Sequence, residues 1–208
     1  MNLSSIFLAM NFKKILLFVA IVFPILWAFS SYNTIIGLEE TTEEKWSQVR
    51  TAYQRRYDLI PNLVETVKGS ADFEKSTLEG VVSARAQATS IQMSPEMLNN
   101  PEQLKAFEKA QSNFSGALSR LMVVMEKYPD LKASQQYSDL MVQLEGTENR
   151  INVARQDFNT TVKDYNTRIR RFPGSIMALL FGFEKKSYFE GDSDNETAPS
   201  VGKILKDK

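Results

Sequence analysis

Apolar residues recur every three or four positions in the first stretch after residue 38, the period of a helix with one buried face. The apolar positions there are Trp46, Val49, Tyr53, Tyr57, Ile60, Val64 and Val67. This pattern predicts a helix over 39–68 that Thr41 or Thr42 caps at its start. Pro61 falls inside it, and because a proline ring clashes with the preceding turn we expect a kink there.

Three further helices are predicted along the rest of the chain. The second covers about 72–91, a loop follows over 92–101, and the third covers about 102–128, with Leu104, Phe107, Gln111, Phe114, Leu118, Leu121 and Met125 in its seam. The fourth covers about 131–171, with Leu140, Leu144, Thr147, Ile151, Ala154, Phe158, Thr161 and Tyr165 in its seam. The polar residues at these predicted buried positions, Gln111 and Thr147, lower the stability of the fold unless they are hydrogen-bonded.

These segments predict an all-α protein, with an up-and-down four-helix bundle of long antiparallel helices within residues 38–189. A three-helix bundle, in which the first two segments are continuous, is the structural alternative. The stripes themselves are most simply explained as core packing.

An uncharged apolar run covers residues 15–30, directly after Lys13 and Lys14. Extended to 15–32, it predicts a single transmembrane anchor of the minimum length for a span. Residues 1–14 would then be cytoplasmic and the helical domain extracytoplasmic, because basic residues precede the run and acidic residues follow it. A cleaved signal peptide is the alternative, and translation from Met10 would shorten the first segment.

The chain after the fourth helix divides into an apolar and an acidic part. Residues 172–183 are apolar but too short to span a bilayer. In an up-and-down bundle this segment returns to the anchored end, which makes Arg168, Arg170, Arg171, Phe172 and Phe181 candidate membrane-proximal residues. The alternative is that the segment packs over the open end of the bundle. Residues 190–208 read as a disordered tail.

Composition restricts the chemistry more than it restricts the fold. The chain has 208 residues, 25 basic and 25 acidic, with no Cys and no His. Thiol, imidazole and triad catalysis are therefore excluded, and we expect neither an enzyme nor a cofactor or metal site. A carboxylate-only hydrolase is the remaining catalytic hypothesis. The balanced charge and the lack of an aromatic-interleaved basic strip give no support for nucleic-acid binding.

Two polar clusters lie beside the predicted seams. They consist of Arg55, Arg56, Asp58 and Asn62 in the first helix, and of Glu148, Asn149, Arg150 and Arg155 in the fourth. If the two helices face each other, the clusters form a charged layer that fixes helix register. The functional alternative is a ligand or partner site.

Several long motifs resemble the LemA family. They include WSQV at 46–49, YQRRYDLIPNLVETVKG at 53–69, SARAQA at 83–88, LSRLMVVMEKYPDLKAS at 118–134, LEGTENRINVARQDFN at 144–159 and RRFPGSIMALLFGF at 170–183. The resemblance covers nearly everything from Tyr32 to Phe189. It implies a membrane-tethered four-helix bundle without an established biochemical activity. A His that many relatives carry shortly before Glu74 is missing, so no role of that His applies here.

The sequence and the resemblance together predict a non-enzymatic scaffold of the cell envelope, held in the bacterial cytoplasmic membrane by one span. Its expected partners are membrane lipid and either other proteins or further copies of itself. Because such proteins are often encoded near membrane metallopeptidases, the alternative is an accessory or regulatory subunit of such a peptidase or of an envelope stress system.

Overall fold

The computed structural model of the protein describes residues 3–68 and 74–190. The helices are α1 (Leu3–Lys68), α2 (Lys75–Ser90), α3 (Pro101–Met125), α4 (Pro129–Lys132), α5 (Gln135–Arg170) and α6 (Gly174–Phe181), with a 3-10 turn at Pro95–Asn99. The described residues contain no strand, so the all-α class is confirmed. The predicted start of the second helix and nearly all of the predicted disordered tail lie outside them.

The prediction of two separate N-terminal helices is wrong. Helix α1 runs without interruption through the apolar segment and the first seam, and Pro24 and Pro61 both lie inside it. Thr41 and Thr42 do not cap a helix start. Their hydroxyls donate to the carbonyl oxygens of Gly37 and Leu38, at 2.7 Å each. Hydroxyls that donate one turn back lie within a continuous helix, whereas an N-cap hydroxyl accepts from a backbone N–H at the start of one.

Helices α1 and α5 lie side by side and antiparallel. Three contacts show this direction, because the residue number of the α5 partner falls as the residue number along α1 rises. Ser31 accepts from Arg168 at 3.2 Å, Lys45 pairs with Asp157 at 3.1 Å, and Arg56 pairs with Glu148 at 2.7 Å. Helices α2 and α3 pack on each other, and α2 also contacts α1. The long pair α1 and α5 therefore forms the frame on which the rest is placed.

The predicted seams of α1 and α3 are confirmed residue by residue, since every position named for them is buried. The seam of α5 is confirmed except at Thr161, which is half-buried. The main core joins α1, α2, α3 and α5. A second cluster lies nearer the apolar run and consists of Ile35, Tyr165, Ile169 and Met177.

Side chains cap two helices where the chain turns. Asn100 accepts from the Gln103 backbone N–H at 3.2 Å at the start of α3, and Ser134 accepts from the Tyr137 backbone N–H at 3.3 Å at the start of α5. These caps satisfy backbone donors that the first turn of a helix leaves free.

Helix α6 folds back sharply against the end of α5. A Cβ on Gly174 would lie 2.1 Å from the Arg168 carbonyl oxygen, so only glycine permits this approach. At its other end Gly182 has φ of +74°, the left-handed conformation that commonly ends a helix. Residues 184–190 then run extended along the bundle; we call this segment the strap.

Candidate interaction site

Arg56 lies at the centre of a polar network between α1, α3 and α5. Its side chain is 3% exposed. One terminal nitrogen donates to Glu148 at 2.7 Å and to Ser115 at 3.1 Å, and the other donates to Gln111 at 2.6 Å. The guanidinium also lies over the rings of Tyr53 and Phe114, with 5.2 and 5.1 Å to the ring centroids. Paired charge and aromatic faces together stabilise a cation removed from water.

The polar seam residue Gln111 completes this network. Its oxygen accepts from Arg56 and its amide nitrogen donates to the Tyr57 hydroxyl, so both ends of the buried amide are satisfied. Burial raises the pKa of Tyr57, and it raises the pKa of Tyr53 to about 12, although Arg155 and Arg56 oppose the shift of Tyr53. Both phenols are therefore neutral at physiological pH and supply no catalytic base.

The structure brings together only part of the predicted polar clusters. Arg56 meets Glu148, and Arg155 pairs with Glu108 at 3.1 Å. Asp58 is exposed and accepts from Gln54 one turn earlier at 2.8 Å, and Asn62 is also exposed.

The remaining members lie on the opposite, open side of the α1–α5 pair. There Arg55, Asn149 and Arg150 are exposed and line a shallow groove of about 480 Å³. The two predicted clusters are therefore split between a buried network and a solvent-facing groove.

A cleft of about 450 Å³ opens between α3 and α5 above Arg56. Its charged lining consists of Arg56, Lys105, Lys109, Arg155, Glu108, Glu148 and Glu190. Four cations face three carboxylates there, and Glu190 at the end of the strap pairs with Lys105 at 3.3 Å. The described residues hold no group of three or more acidic side chains placed to bind a metal ion.

The strap is the feature that sequence reasoning missed. Asn166 bonds both the N–H and the carbonyl of Lys186, at 3.0 and 2.8 Å. Asn159 does the same for Phe189, at 2.9 and 3.0 Å. The side-chain amide of an asparagine can donate an N–H to the carbonyl of an extended residue while its oxygen accepts from that residue's N–H. Two asparagines seven positions apart, on one face of the predicted fourth helix, were the available signal.

Helix α6 lies beside the end of the apolar run of α1. The ring of Phe172 is 5.2 Å from that of Trp27, and the ring of Phe181 is 4.7 Å from that of Tyr32. Arg168 is partly buried on Ser31, whereas Arg170 and Arg171 are exposed. The outer face of α6 carries exposed apolar side chains, with Leu179 85% exposed.

By length and composition, the helix over Lys14–Lys68 is long and apolar enough to cross a membrane, and almost none of its most apolar 18-residue stretch is buried. The large side chains from Ile15 to Phe29 that the structure describes are exposed or half-buried. Unpaired apolar surface of this extent marks a contact with lipid or with another protein.

Comparison with known proteins agrees with the motifs. The sequence profile of the LemA family matches residues 45–202. Magnetosome protein MamQ 2 of Paramagnetospirillum magneticum is 29% identical over 182 residues, which cover 80% of this chain and 67% of the relative. Protein LemA of Metamycoplasma hominis is 25% identical over 158 residues, covering 76% and 68%. Neither relative is named for an enzymatic reaction. The chain therefore belongs to the LemA family.

Proposed function

We propose that this protein is a non-enzymatic scaffold of the cell envelope, in which α1 crosses the membrane and continues as the first helix of a four-helix bundle. The observation that carries the proposal is the continuity of α1. Residues 12–32 measure about 30 Å at 1.5 Å per residue, which matches the hydrocarbon thickness of a bilayer.

The junction between anchor and bundle supports a rigid connection. Ser31 and Ile35, the first buried residues after the apolar run, contact α5 and the second hydrophobic cluster. A bundle held by a continuous, packed helix has a fixed distance and tilt relative to the bilayer. A flexible linker would instead allow the domain to reorient relative to the bilayer. The rigid connection therefore suits a protein that presents its surfaces to partners at a fixed distance from the membrane.

The bundle is proposed to consist of α1, α2, α3 and α5 in up-and-down order. The antiparallel register of α1 and α5, the packing of α2 on α3, and a common core support this arrangement. Lys14 before the apolar run and the acidic residues Glu39 and Glu40 after it favour a cytoplasmic N-terminus and a domain outside the cytoplasmic membrane.

Helix α6 is proposed to lie beside the anchor, at the interface between the cytoplasmic membrane and water on its extracytoplasmic side. Its exposed residues Ile176, Leu179 and Leu180, which lie three and four positions apart, form an apolar face. Arg170 and Arg171 lie just before it and would meet lipid phosphates. Tyr32, which Phe181 of α6 contacts, and Trp27, which Phe172 contacts, are residue types enriched at this boundary.

A quenching experiment on the full chain in lipid vesicles tests this placement. The chain has no cysteine, so a single fluorophore can be attached at Leu179→Cys. Val123→Cys on α3, 68% exposed, is the matched control. We expect lipids brominated near the headgroup to quench the label at position 179 and not at 123. Equal quenching at both positions, or at neither, would reject the boundary position of α6.

The side of the membrane is tested separately in intact cells. A membrane-impermeant thiol reagent should label Val123→Cys before lysis if the domain is extracytoplasmic. Labelling only after lysis would contradict the proposed orientation while leaving the span itself intact.

A further inference from the structure

The solvent-facing side of the α1–α5 pair carries a long open groove, which we call the α1–α5 groove. We infer that it binds one helix of another membrane protein, a helix with carboxylates at its centre and basic residues near both ends. The inference goes beyond the proposed scaffold by naming the chemistry of a partner. It rests on the proposed membrane placement only for the direction in which the partner helix runs.

Three shallow cavities of about 480, 570 and 610 Å³ join to form this groove. The first two share Arg55 and Arg150 in their linings, and the second and third share Gln143. Every lining residue belongs to α1 or α5, within 44–66 and 136–157. At 1.5 Å per residue this length is about 33 Å, or roughly six helical turns.

The floor and rim of the α1–α5 groove suit the face of a helix. Ala52 and Ala154 line the floor, and a Cβ on Gly146 would meet open space. Val142 and Val153, 67% and 51% exposed, are the large apolar side chains of α5 that are exposed, and both line the groove. They lie about three turns apart, so one helix along the groove contacts both. A helix also arrives with its own backbone hydrogen-bonded, so it needs no backbone partners there.

The charges along the groove change sign with height. Three pairs of charged side chains line it in order: Glu44 with Asp157, Arg55 with Arg150, and Glu65 with Asp139. Antiparallel packing sets these heights, since Asp157 pairs with Lys45 and Glu148 with Arg56. Successive pairs are ten or eleven residues apart along α1, about 15–17 Å. Asp58 adds one more carboxylate just beyond the arginine pair.

Most of these charges are available to a partner. Among the described residues, neither Arg55 nor Arg150 forms an ion pair, and both are exposed. In the same part of the chain, Asp157 is the only one of the four terminal carboxylates with a basic partner, Lys45 at 3.1 Å. A helix with an acidic centre and basic residues ten or eleven positions to either side meets opposite charge at all three heights. Such complementarity selects the partner, whereas the exposed valines supply apolar contact.

A second copy of the chain does not offer this charge order on the same face. Copies anchored in one membrane hold equal residues at equal heights. Two facing grooves would therefore place arginines against arginines and carboxylates against carboxylates, and like charges in contact oppose association. The charge order thus favours a different protein as the occupant.

The direction of the groove indicates the class of that protein. Because α1 is continuous, the groove follows the same helix axis as the proposed span. It begins about 18 Å beyond residue 32 along that axis and ends about 51 Å beyond it. A helix that rises from the partner's own membrane span therefore needs about 34 residues outside the bilayer to fill the groove. The partner is a membrane protein with a long helical extension.

Two designed helical peptides of equal composition test the charge order in detergent, without a bilayer. Each is about six turns long and has one face of valine and alanine. The first has glutamates at its centre and an equal number of lysines divided between its ends, and the second has the two types exchanged. We expect the first to bind the unchanged full chain at least tenfold more tightly than the second, as measured by fluorescence anisotropy.

Charge reversal within the groove should change this preference. In the double variant Arg55→Glu with Arg150→Glu, the tenfold preference should disappear or invert. The control double variant Arg50→Glu with Lys163→Glu changes the net charge equally at exposed positions of the same two helices, outside the groove lining, and should keep the preference. Circular dichroism verifies that both variants are folded.

The apolar contact is tested by a separate pair of variants. Val153→Asn should weaken binding of the first peptide at least threefold, because an exposed apolar side chain of the groove is lost. Val123→Asn, at a comparably exposed valine on α3, should leave binding unchanged. A photoreactive residue at position 153 of the full chain should also crosslink in cells to a helical segment of another membrane protein with the stated charge order.

Four results would overturn the inference. The first is equal binding of the two peptides, and the second is a loss of preference as large in the control double variant as in the groove variant. The third is crosslinking in cells only to a second copy of the chain, and the fourth is crosslinking only to segments that lack the charge order. Peptide binding is measured in detergent, so its failure bears on the groove, whereas failure of the quenching experiment on α6 bears on the membrane placement.

Discussion

Asn159 bonds Phe189 on both sides of its backbone, donating to the carbonyl at 3.0 Å and accepting from the N–H at 2.9 Å. This single side chain ties the end of the strap to α5. It aligns the Phe189 ring with the rings of Trp46 and Phe158, and Glu190 with Lys105. The strap thereby connects the α6 end of the domain with its α3 edge, although the two are distant along the chain.

Loss of that asparagine should release the strap without unfolding the bundle. In Asn159→Ala two hydrogen bonds are lost, and at about 0.5–1.5 kcal/mol each the amide exchange of Phe189 should accelerate roughly tenfold or more. Hydrogen exchange followed by mass spectrometry measures this. Asn149→Ala, on the exposed side of α5, should leave strap exchange unchanged. Equal protection of the strap in both variants would mean that Asn159 does not hold it.

Loss of the Glu148 carboxylate should lower the free energy of unfolding more than loss of an exposed carboxylate elsewhere on α5. Glu148→Ala leaves Arg56 buried without its counter-charge, and the cost should be about 1.5–3 kcal/mol, the range for a hydrogen bond to a charged group. Urea unfolding of the full chain in detergent, followed by circular dichroism, gives the free energy. Glu145→Ala, which removes an exposed carboxylate three residues earlier, should change it by less than about 0.5 kcal/mol. Equal effects would show that the ion pair between Arg56 and Glu148 contributes no net stability.

Tyr53 should make the protein sensitive to alkali. Burial raises its pKa to about 12, whereas an unfolded tyrosine ionises near 10. Below pH 10 its full contribution is present. Between about pH 10 and 12 the unfolded state loses the proton first, so stability falls by about 1.4 kcal/mol per pH unit.

The Tyr53→Phe variant isolates this contribution from other alkaline titrations. The unfolding free energy of the unchanged chain minus that of the variant should be flat up to pH 10 and then decline. A difference that stays constant to pH 12 would rule out the raised pKa.

Two glycines should respond oppositely to the same substitution. In Gly174→Ala the new methyl group collides with the Arg168 carbonyl, and α6 must move, at a cost of about 1–3 kcal/mol. In Gly146→Ala the methyl group enters open space within α5 and should stabilise the helix by about 0.5–1 kcal/mol. Thermal unfolding compares the two. A Gly174→Ala protein as stable as the unchanged chain would contradict the close docking of α6.

Regular spacing explains which parts of this fold the sequence revealed. Trp46, Phe114 and Ile151 lie in seams with steps of three and four, and all are buried. The continuity of α1 was hidden because Thr41 and Thr42 look like caps, although their hydroxyls bond back within the helix.

The candidate site was harder to predict, for a physical reason. The strap shows no regular spacing of apolar residues, because its backbone hydrogen bonds go mostly to side chains of α5 and not to a neighbouring strand or turn. Lys186 and Phe189 therefore looked like residues of an ordinary connection. Arg56 and Arg55 are adjacent and chemically identical, and only the facing of α1 against α3 and α5 decides that the first is buried and the second exposed.

The most direct test of the central claim is a depth profile of α1 in lipid vesicles. Spin labels placed one at a time from position 15 to position 38 of the full chain report access to oxygen and to a water-soluble nickel complex. The continuous α1 predicts that nickel access falls smoothly to a minimum near residue 22, because the side chains of the apolar run are exposed on all sides, and that a helical period in access begins at the buried residues Ser31 and Ile35. Water access at every position would contradict the span, and the absence of a helical period over residues 31–38 would contradict the rigid connection to the bundle.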